Sequence, residues 1–156
     1  MPSKTVQKAA HDLLISIAES LDPAPAVFPY LPEGFKQPGD TVVIERPSAT
    51  SREPFSNQQV LVTLETKFIA ISPFKPDVEG EDEGKERVDA LRDTLVVAIE
   101  SLPGNGLLSI GAFSWQHSWS FDSDYYVVGS NLIACEFTLS VVLTRPLDYA
   151  FITTPD

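Results

Sequence analysis

The densest group of chemically active side chains is an acidic stretch, KPDVEGEDEGKERVDAL, from Lys75 to Leu91. Its ten residues from Asp77 to Glu86 carry six carboxylates, and carboxylates this close together can bind a divalent cation or share the acid and base roles of catalysis. An EF-hand loop that begins at Asp77 needs glycine at its sixth place and glutamate at its twelfth, but Asp82 and Val88 stand there. The spacing is more typical of a solvated acidic loop, residues 76–86, whose charges favour the N-terminus of a following helix.

The other candidates for catalysis or metal binding stand alone. His11 and His117 are far apart, whereas zinc sites need clustered ligands at fixed spacing. We expect His117 to be a packed or hydrogen-bonded strand residue. Cys135 is the single cysteine, which excludes an internal disulfide, and its place on an apolar strand face predicts a buried thiol. Acid catalysis by a carboxylate needs an apolar pocket that raises its pKa, and a hydrated loop does not offer one.

Nucleotide and nucleic-acid chemistry is also not indicated. The stretch GNGLLSIG, residues 104–111, lacks the third glycine of a dinucleotide fingerprint and leads from a helix into a strand, the reverse of the required order. Aromatic residues around Trp115 and Trp119 could stack on bases, but residues 94–144 contain no lysine or arginine, and the net charge is −11. The sequence thus predicts no catalytic, metal-binding or cofactor-binding residue, and a protein that is not an enzyme.

The elements that position these residues follow from hydrophobic periodicity. A helix is predicted over the first 21 residues with Ser3 as N-cap, and a second helix begins near Lys85 and ends at LPGNG. Alternating residues predict four strands, and a proline-rich surface connector, residues 22–40, follows the first helix. The strands are expected at 41–46, 59–71, 107–121 and 131–145, with a long loop between the last two.

This order, α-β-β-α-β-β, predicts an α+β fold in which two helices pack on one face of a four-stranded, mostly antiparallel sheet, a two-layer sandwich. The length of 156 residues suits one domain over residues 1–156. No apolar run is long enough to cross a bilayer, and the N-terminus lacks a secretory signal, so we expect folding in the cytoplasm.

A polar loop, PSATSREPFSNQ, is predicted between the first two strands. Twelve residues are long for a hairpin connection, and Phe55 lies exposed near its middle. We therefore expect a contact arm for a neighbouring chain, with Arg52, Glu53 and Phe55 as its contact residues.

The layout resembles the tail-terminator proteins of long-tailed bacteriophages, in a superfamily shared with tail-completion and some neck proteins. The resemblance spans most of the chain, apart from residues 22–40 and the tail after Pro146. Its carriers are the helices and strands TVQKAAHDLLISIAESL, VVIERP, QVLVTLETKFIAI, KERVDALRDTLVVAIESL, FSWQHSWSFD and LIACEFTLSVVLTRP.

The resemblance implies a homohexameric ring at the tail–neck junction of the virion, assembled in the host cytoplasm. Such a ring caps the tail tube, stops its polymerisation and joins it to the neck, so its partners are copies of itself, the tube protein and a neck connector. DNA only passes through the lumen, and no membrane is involved. A lumen that repels phosphate eases that passage, so we predict that the acidic loop lines it. The predicted lumen residues are Asp77, Glu79, Glu81, Asp82 and Glu83.

Three other interpretations stay open. A neck connector or head-completion ring would need the same kind of small α+β subunit. A metal-dependent hydrolase would bind divalent ions through the acidic loop. A binding module would use the aromatic strand face for a ligand or protein.

Overall fold

Two helices and eight strands make up the part of the chain that the computed structural model describes, which is residues 3–30, 39–75, 78–101, 115–129, 131–146 and 151–153. The elements in chain order are β1 (Ser3–Thr5), α1 (Val6–Glu19), β2 (Ala26–Phe28), β3 (Thr41–Ile44), β4 (Ser48–Ser56), β5 (Gln59–Pro73), α2 (Val78–Glu100), β6 (Trp115–Val128), β7 (Leu132–Pro146) and β8 (Phe151–Thr153).

The main sheet has six strands, so the expected four-stranded sheet is wrong. Its order is β2-β3-β5-β7-β6, with β4 also paired to β5. All pairs are antiparallel except β2–β3, which makes the sheet mixed. Strands β1 and β8 form a separate antiparallel pair that joins the two ends of the chain.

The two additional strands come from stretches whose composition predicted irregular structure. Strand β3 pairs with only residues 68–71 of the long β5, and β4 pairs with residues 59–65 of the same edge. The polar sequence of β4 is compatible with this place because an edge strand exposed to water needs no apolar face. Strand β2 lies within the predicted connector. Its three residues, Ala26, Val27 and Phe28, include no proline, so they can form a short edge strand.

The main core lies between the helices and one face of the sheet. Alternate residues of β5, from Val60 to Phe68, and of β7, from Ile133 to Leu143, are buried there, as their alternation predicted. Phe68 and Phe137 are cross-strand partners, and their rings stack at 4.9 Å between centroids. Both helices bury their apolar stripes against this face, through residues such as Leu14 and Leu95.

The first helix begins later than predicted. Its N-cap is Thr5, whose hydroxyl accepts a hydrogen bond from the backbone N–H of Lys8, and not Ser3. Residues 3–5 are extended because they pair with β8, which delays the helix to Val6. The helix ends at Glu19, two residues before the predicted end.

A second apolar cluster lies on the opposite face, at one end of the sheet. It joins Val43 of β3, Ile69 and Ile71 of β5, and Leu132 and Ala134 of β7. The other end of that face carries charged residues of β5 and β7 instead. Both faces of the sheet therefore bury apolar residues, and the open face does so only at one end.

The acidic stretch is not a loop, because α2 begins at Val78 and includes residues 78–86. Glutamate and lysine favour helices, and negative charge near a helix N-terminus is stabilising, so the composition is compatible with this conformation. The two glycines within the stretch, Gly80 and Gly84, are packing positions. A Cβ atom on Gly80 would overlap the carbonyl oxygen of Lys75, and one on Gly84 would lie 2.7 Å from Cβ of Phe74. Residues 74–75 can therefore lie directly against the helix only because these positions lack side chains.

Strand β6 also differs from its prediction. It continues to Val128 through the predicted loop, with an irregularity in its pairing with β7 between Phe121 and Tyr125. Within that irregularity the backbone N–H of Asp124 donates to the side chain of Asp122. Gly129, with a φ of 65°, follows the strand, and the left-handed conformation there favours glycine. The predicted stretch 107–114 lies outside the described residues, as do residues 31–38 of the connector and the predicted helix end at 102–106.

In the ranges that the structure describes, no helix is long and apolar enough to span a membrane.

We predict that Gly80→Ala lowers the free energy of unfolding by about 1–3 kcal/mol, because the new methyl group overlaps the Lys75 backbone. Helix propensity alone predicts the opposite, a gain of about 1 kcal/mol. Urea unfolding followed by circular dichroism measures the change. Gly39→Ala is the control, since a Cβ atom there meets nothing within 4 Å. A more stable Gly80→Ala variant would show that this close approach does not exist.

Candidate functional site

The predicted contact arm is an ordered β-hairpin and not a loop. Ser56 pairs with Gln59, so only Asn57 and Gln58 connect β4 to β5. All nine residues of β4 are exposed, and 57% of the Phe55 surface is open to solvent. The hydroxyl of Ser51 donates to the hydroxyl of Thr63 on β5 at 2.9 Å, and backbone pairing holds the rest of the arm in place.

The two charged arm residues point to opposite sides of the sheet. Arg52 pairs with Val62, which is fully buried on the helix-covered side, and Glu53 pairs with Leu61 on the other side. Cross-strand partners share a face, so Arg52 belongs to the helix side and Glu53 to the open side. The arm therefore presents a cation and an anion on different surfaces.

Three of the five predicted lumen residues are located by the structure. Glu81, Asp82 and Glu83 lie exposed in the first turns of α2. The side chain of Lys85 forms an ion pair with Glu81 at 3.7 Å. Asp77 lies outside the described residues, and Glu79 belongs to the helix by its backbone, while its side chain is not described.

A second acidic surface surrounds Lys67 on the open side of the sheet. Lys67 forms an ion pair with Glu136 of β7 at 3.0 Å, and this hydrogen bond raises the pKa of the lysine above its usual value. Glu45 and Asp122 add to the negative potential at the amine. The alternation of β5 and β7 places charged residues at these positions, but sequence reasoning did not single them out, because strand pairing is needed to bring them together.

A polar network joins α2 to β6. The hydroxyl of Tyr125 donates to the carboxylate of Asp89 at 2.7 Å, and Arg92 forms an ion pair with Asp89 at 3.5 Å. The guanidinium of Arg92 also lies 5.0 Å from the ring centroid of Phe121, within reach of a cation–π contact. Asp89 and Tyr125 are 36 positions apart in the sequence, one on a helix and one on a strand, and their spacing did not indicate that they would be in contact.

The network adds contacts between α2 and β6, although α2 lies mainly over β5 and β7. Near the end of α2, the carboxylate of Glu100 accepts a hydrogen bond from the imidazole of His117 on β6, at 2.9 Å between Oε2 and Nε2. The expectation that His117 is a hydrogen-bonded strand residue is confirmed. The neutral Tyr125 is favoured by its hydrogen bond to Asp89 and by burial, which together raise the pKa of the phenol to about 12.

The remaining candidates for chemistry are structural. Cys135 is buried, as predicted, and burial raises the pKa of its thiol to about 11. The thiol therefore stays protonated at neutral pH and is a poor nucleophile. His11 is buried, and its Nε2 lies 2.7 Å from the carbonyl oxygen of Ile44, a bond that ties α1 to β3. Among the described residues, no group of three or more histidine, cysteine, aspartate or glutamate side chains is arranged to hold a metal ion.

We predict that the free energy of unfolding falls as the pH rises from 10 towards 12. A free phenol ionises near pH 10, whereas the pKa of Tyr125 in the folded chain is about 12, so in this window the unfolded chain binds fewer protons than the folded one. Tyr125→Phe should make the fall shallower without abolishing it, because burial also raises the pKa of Tyr126. Urea unfolding at pH 9, 10 and 11 measures the slope. Tyr30→Phe, at an exposed position, is the control, and an identical slope in wild type and Tyr125→Phe would contradict the assignment.

The chain gives no match to a protein-family model and no significant match to a curated protein.

Proposed function

We propose that the chain is the ring-forming tail terminator of a long-tailed bacteriophage, a structural virion protein that caps the tail tube, stops its polymerisation and joins it to the neck. The observation that carries the proposal is the β4–β5 arm. Nine consecutive residues of β4 are ordered as a strand, yet every one of them is exposed.

An arm of this kind gains little from folding on its own. Ordering a residue costs about 1–2 kcal/mol in conformational entropy, and burial of apolar surface is the main term that offsets such a cost. The exposed residues of β4 obtain almost none of that burial in the single chain. A neighbouring chain that covers the arm would supply it, with Phe55 as an apolar anchor and Arg52 as a polar one.

The order of the six elements that the sequence predicted is consistent with the same proposal. The sequence α1, β3, β5, α2, β6, β7 is the order on which the resemblance to tail terminators rests. The proposed partners are further copies of the chain in a hexameric ring, the tail-tube protein and a neck connector. DNA would pass through the ring without specific contacts, and the chain itself would perform no catalysis.

Charge supports the passage of DNA through such a ring. The net charge is −11, and the exposed carboxylates of Glu81, Asp82 and Glu83 lie together on α2. A negative wall repels phosphate and so avoids holding the DNA in the channel. We place these residues, with Asp77 and Glu79, on the lumen wall as part of the proposal.

We predict that the purified chain stops the growth of tubes made from the tail-tube protein of the same phage. The double variant Arg52→Ala/Phe55→Ala should cap poorly and leave longer tubes, because its arm lacks both anchors. Tube lengths and end structures in negative-stain electron micrographs measure the effect. Tyr30→Ala, which removes an aromatic ring that is 65% exposed outside the arm, should cap like wild type.

The outcomes separate the neighbouring functions. Normal capping by the arm variant would remove the arm from the contact. A wild-type chain that ignores tubes but binds the portal or neck would be a connector ring, and stoichiometric binding of a divalent ion with hydrolysis of a substrate would favour the enzyme.

We also predict that the triple variant Glu81→Gln/Asp82→Asn/Glu83→Gln slows the ejection of DNA from phage particles that carry it. Removing three negative charges from the lumen wall weakens the repulsion of phosphate. The matched control is Glu45→Gln/Glu65→Gln/Asp122→Asn, which removes three charges from the open face of the sheet. Fluorescence of a dye that binds ejected DNA gives the rate. Slower ejection in the control alone would place the sheet, and not α2, on the lumen wall.

A further inference from the structure

The outer edge of β6 is open, and its first half, residues 115–121, lacks the usual protection. Strand β6 pairs with β7 on one side, and no other strand in the described part of the chain pairs with it. Natural edge strands are commonly blocked by lysine, proline or inward-pointing charge. The stretch WQHSWSF, residues 115–121, contains no proline and no lysine, arginine, aspartate or glutamate. Ser118, Ser120 and Phe121 are all exposed.

The arm strand β4 lies at the opposite margin of the same sheet. It pairs with β5, and no second described strand pairs with it. Each step from β4 to β5, β7 and β6 is antiparallel, so β4 and β6 run in opposite directions. If one copy follows another around an axis parallel to the strands, β6 therefore meets the next β4 in the antiparallel orientation.

The two edges also lie at the same height on the sheet. Ser48, Glu65, Ser140 and Ser118 form one row across the four strands, and Arg52, Val62, Leu143 and Trp115 form another. Residues 48–52 of one copy can thus lie beside residues 115–118 of the next without a shift along the strands. Pro54, which has no N–H to donate, is level with Arg145 and so lies outside the row from Trp115 to Ser118.

We infer that β4 of one copy adds to the open edge of β6 in the next copy, so that the sheet continues from subunit to subunit. This inference rests on the proposed assembly of the chain with itself, and it names the two surfaces that meet. The contact is head-to-tail, because it joins two different edges, and repetition by a fixed rotation closes such contacts into a ring. Main-chain hydrogen bonds between the two strands supply affinity, as in other cases of strand addition.

Charge complementarity favours a second copy of the chain as the partner at the edge of β6. Arg52 lies on the helix side of the sheet, and at equal height Arg52 of the added strand is diagonal to His117, which lies on the same side and is bonded to Glu100. Diagonal neighbours on adjacent strands are about 7–8 Å apart, which a long side chain can span. The side chain of Glu100 is 43% exposed, so its carboxylate can accept a hydrogen bond from the guanidinium of Arg52 in the next copy.

Charge reversal tests the contact. Arg52→Glu and Glu100→Arg should each raise the dissociation constant of the assembly by about tenfold or more, and the double variant should restore it, because the attraction is re-formed in reverse. Light scattering after gel filtration over a concentration series measures assembly. Glu86→Arg, which reverses an exposed charge elsewhere on α2, should assemble like wild type. Singles that assemble normally, or a double that is not restored, would overturn the contact.

Cross-linking gives a second test that does not depend on stability. With Ser48→Cys and Ser118→Cys in the same chain, oxidation should produce a ladder of multimers on a non-reducing gel. The two positions are three strand spacings apart within one chain, about 14 Å, too far for an internal disulfide. Either single variant should stop at a dimer. A double variant that also stops at monomer and dimer would overturn the inference.

The two proposals fail separately. Variants that lose the ladder but still cap tubes would leave the terminator function standing and remove this contact. A wild-type chain that assembles through this contact without capping tubes would keep the contact and remove the function. A chain that stays monomeric at every concentration, with no ladder after oxidation, would overturn the contact.

Discussion

All fifteen residues of β5 pair with β7 in one unbroken antiparallel register, from Gln59 opposite Pro146 to Pro73 opposite Leu132. This pairing fixes which side of the sheet every neighbouring side chain occupies, because a shift by one residue would exchange the two faces. It places Phe68 against Phe137 beneath the helices and Lys67 within reach of Glu136 on the other face. Strands β3, β4 and β6 pair directly with these two, and β2 pairs with β3. The core, the charged face and the open edges of β4 and β6 therefore follow from the one register.

The length of β5 has a second consequence, for the edge of the sheet opposite β7. Strand β5 is longer than β3, so residues 59–65 have a free edge that only a second segment can fill, and β4 fills it. The arm is thus a product of the excess length of β5, and its exposed residues are available to other chains. On the far side β6 is also joined to α2 by polar contacts, including Tyr125 with Asp89 and His117 with Glu100. A sheet with an exposed strand at one margin and an unprotected edge at the other is suited to contacts with copies of itself.

The sequence predicted the strands in which apolar and polar side chains alternate, and the helix in which apolar side chains recur every three or four residues. The buried faces of β5 and β7, the apolar stripe of α1, the buried thiol of Cys135 and the bonded His117 all followed from local patterns. It failed where a partner elsewhere in the chain decides the structure. The polar stretch 48–56 becomes a strand only because β5 offers an edge, and Gly80 and Gly84 lie in a helix because residues 74–75 pack on them. The exposure of Phe55 was predicted from its place in a polar stretch, whereas the acidic surface around Lys67 and the open edge of β6 depend on strand order, which periodicity does not contain.

The central claim is that these surfaces serve assembly with copies of the chain. Native mass spectrometry of the purified protein, alone and after incubation with tail-tube subunits, tests it most directly. The account predicts a closed species of six chains, formed alone or on the end of a tube. A monomer that remains a monomer in both samples, and that binds a divalent ion or turns over a substrate, would contradict it.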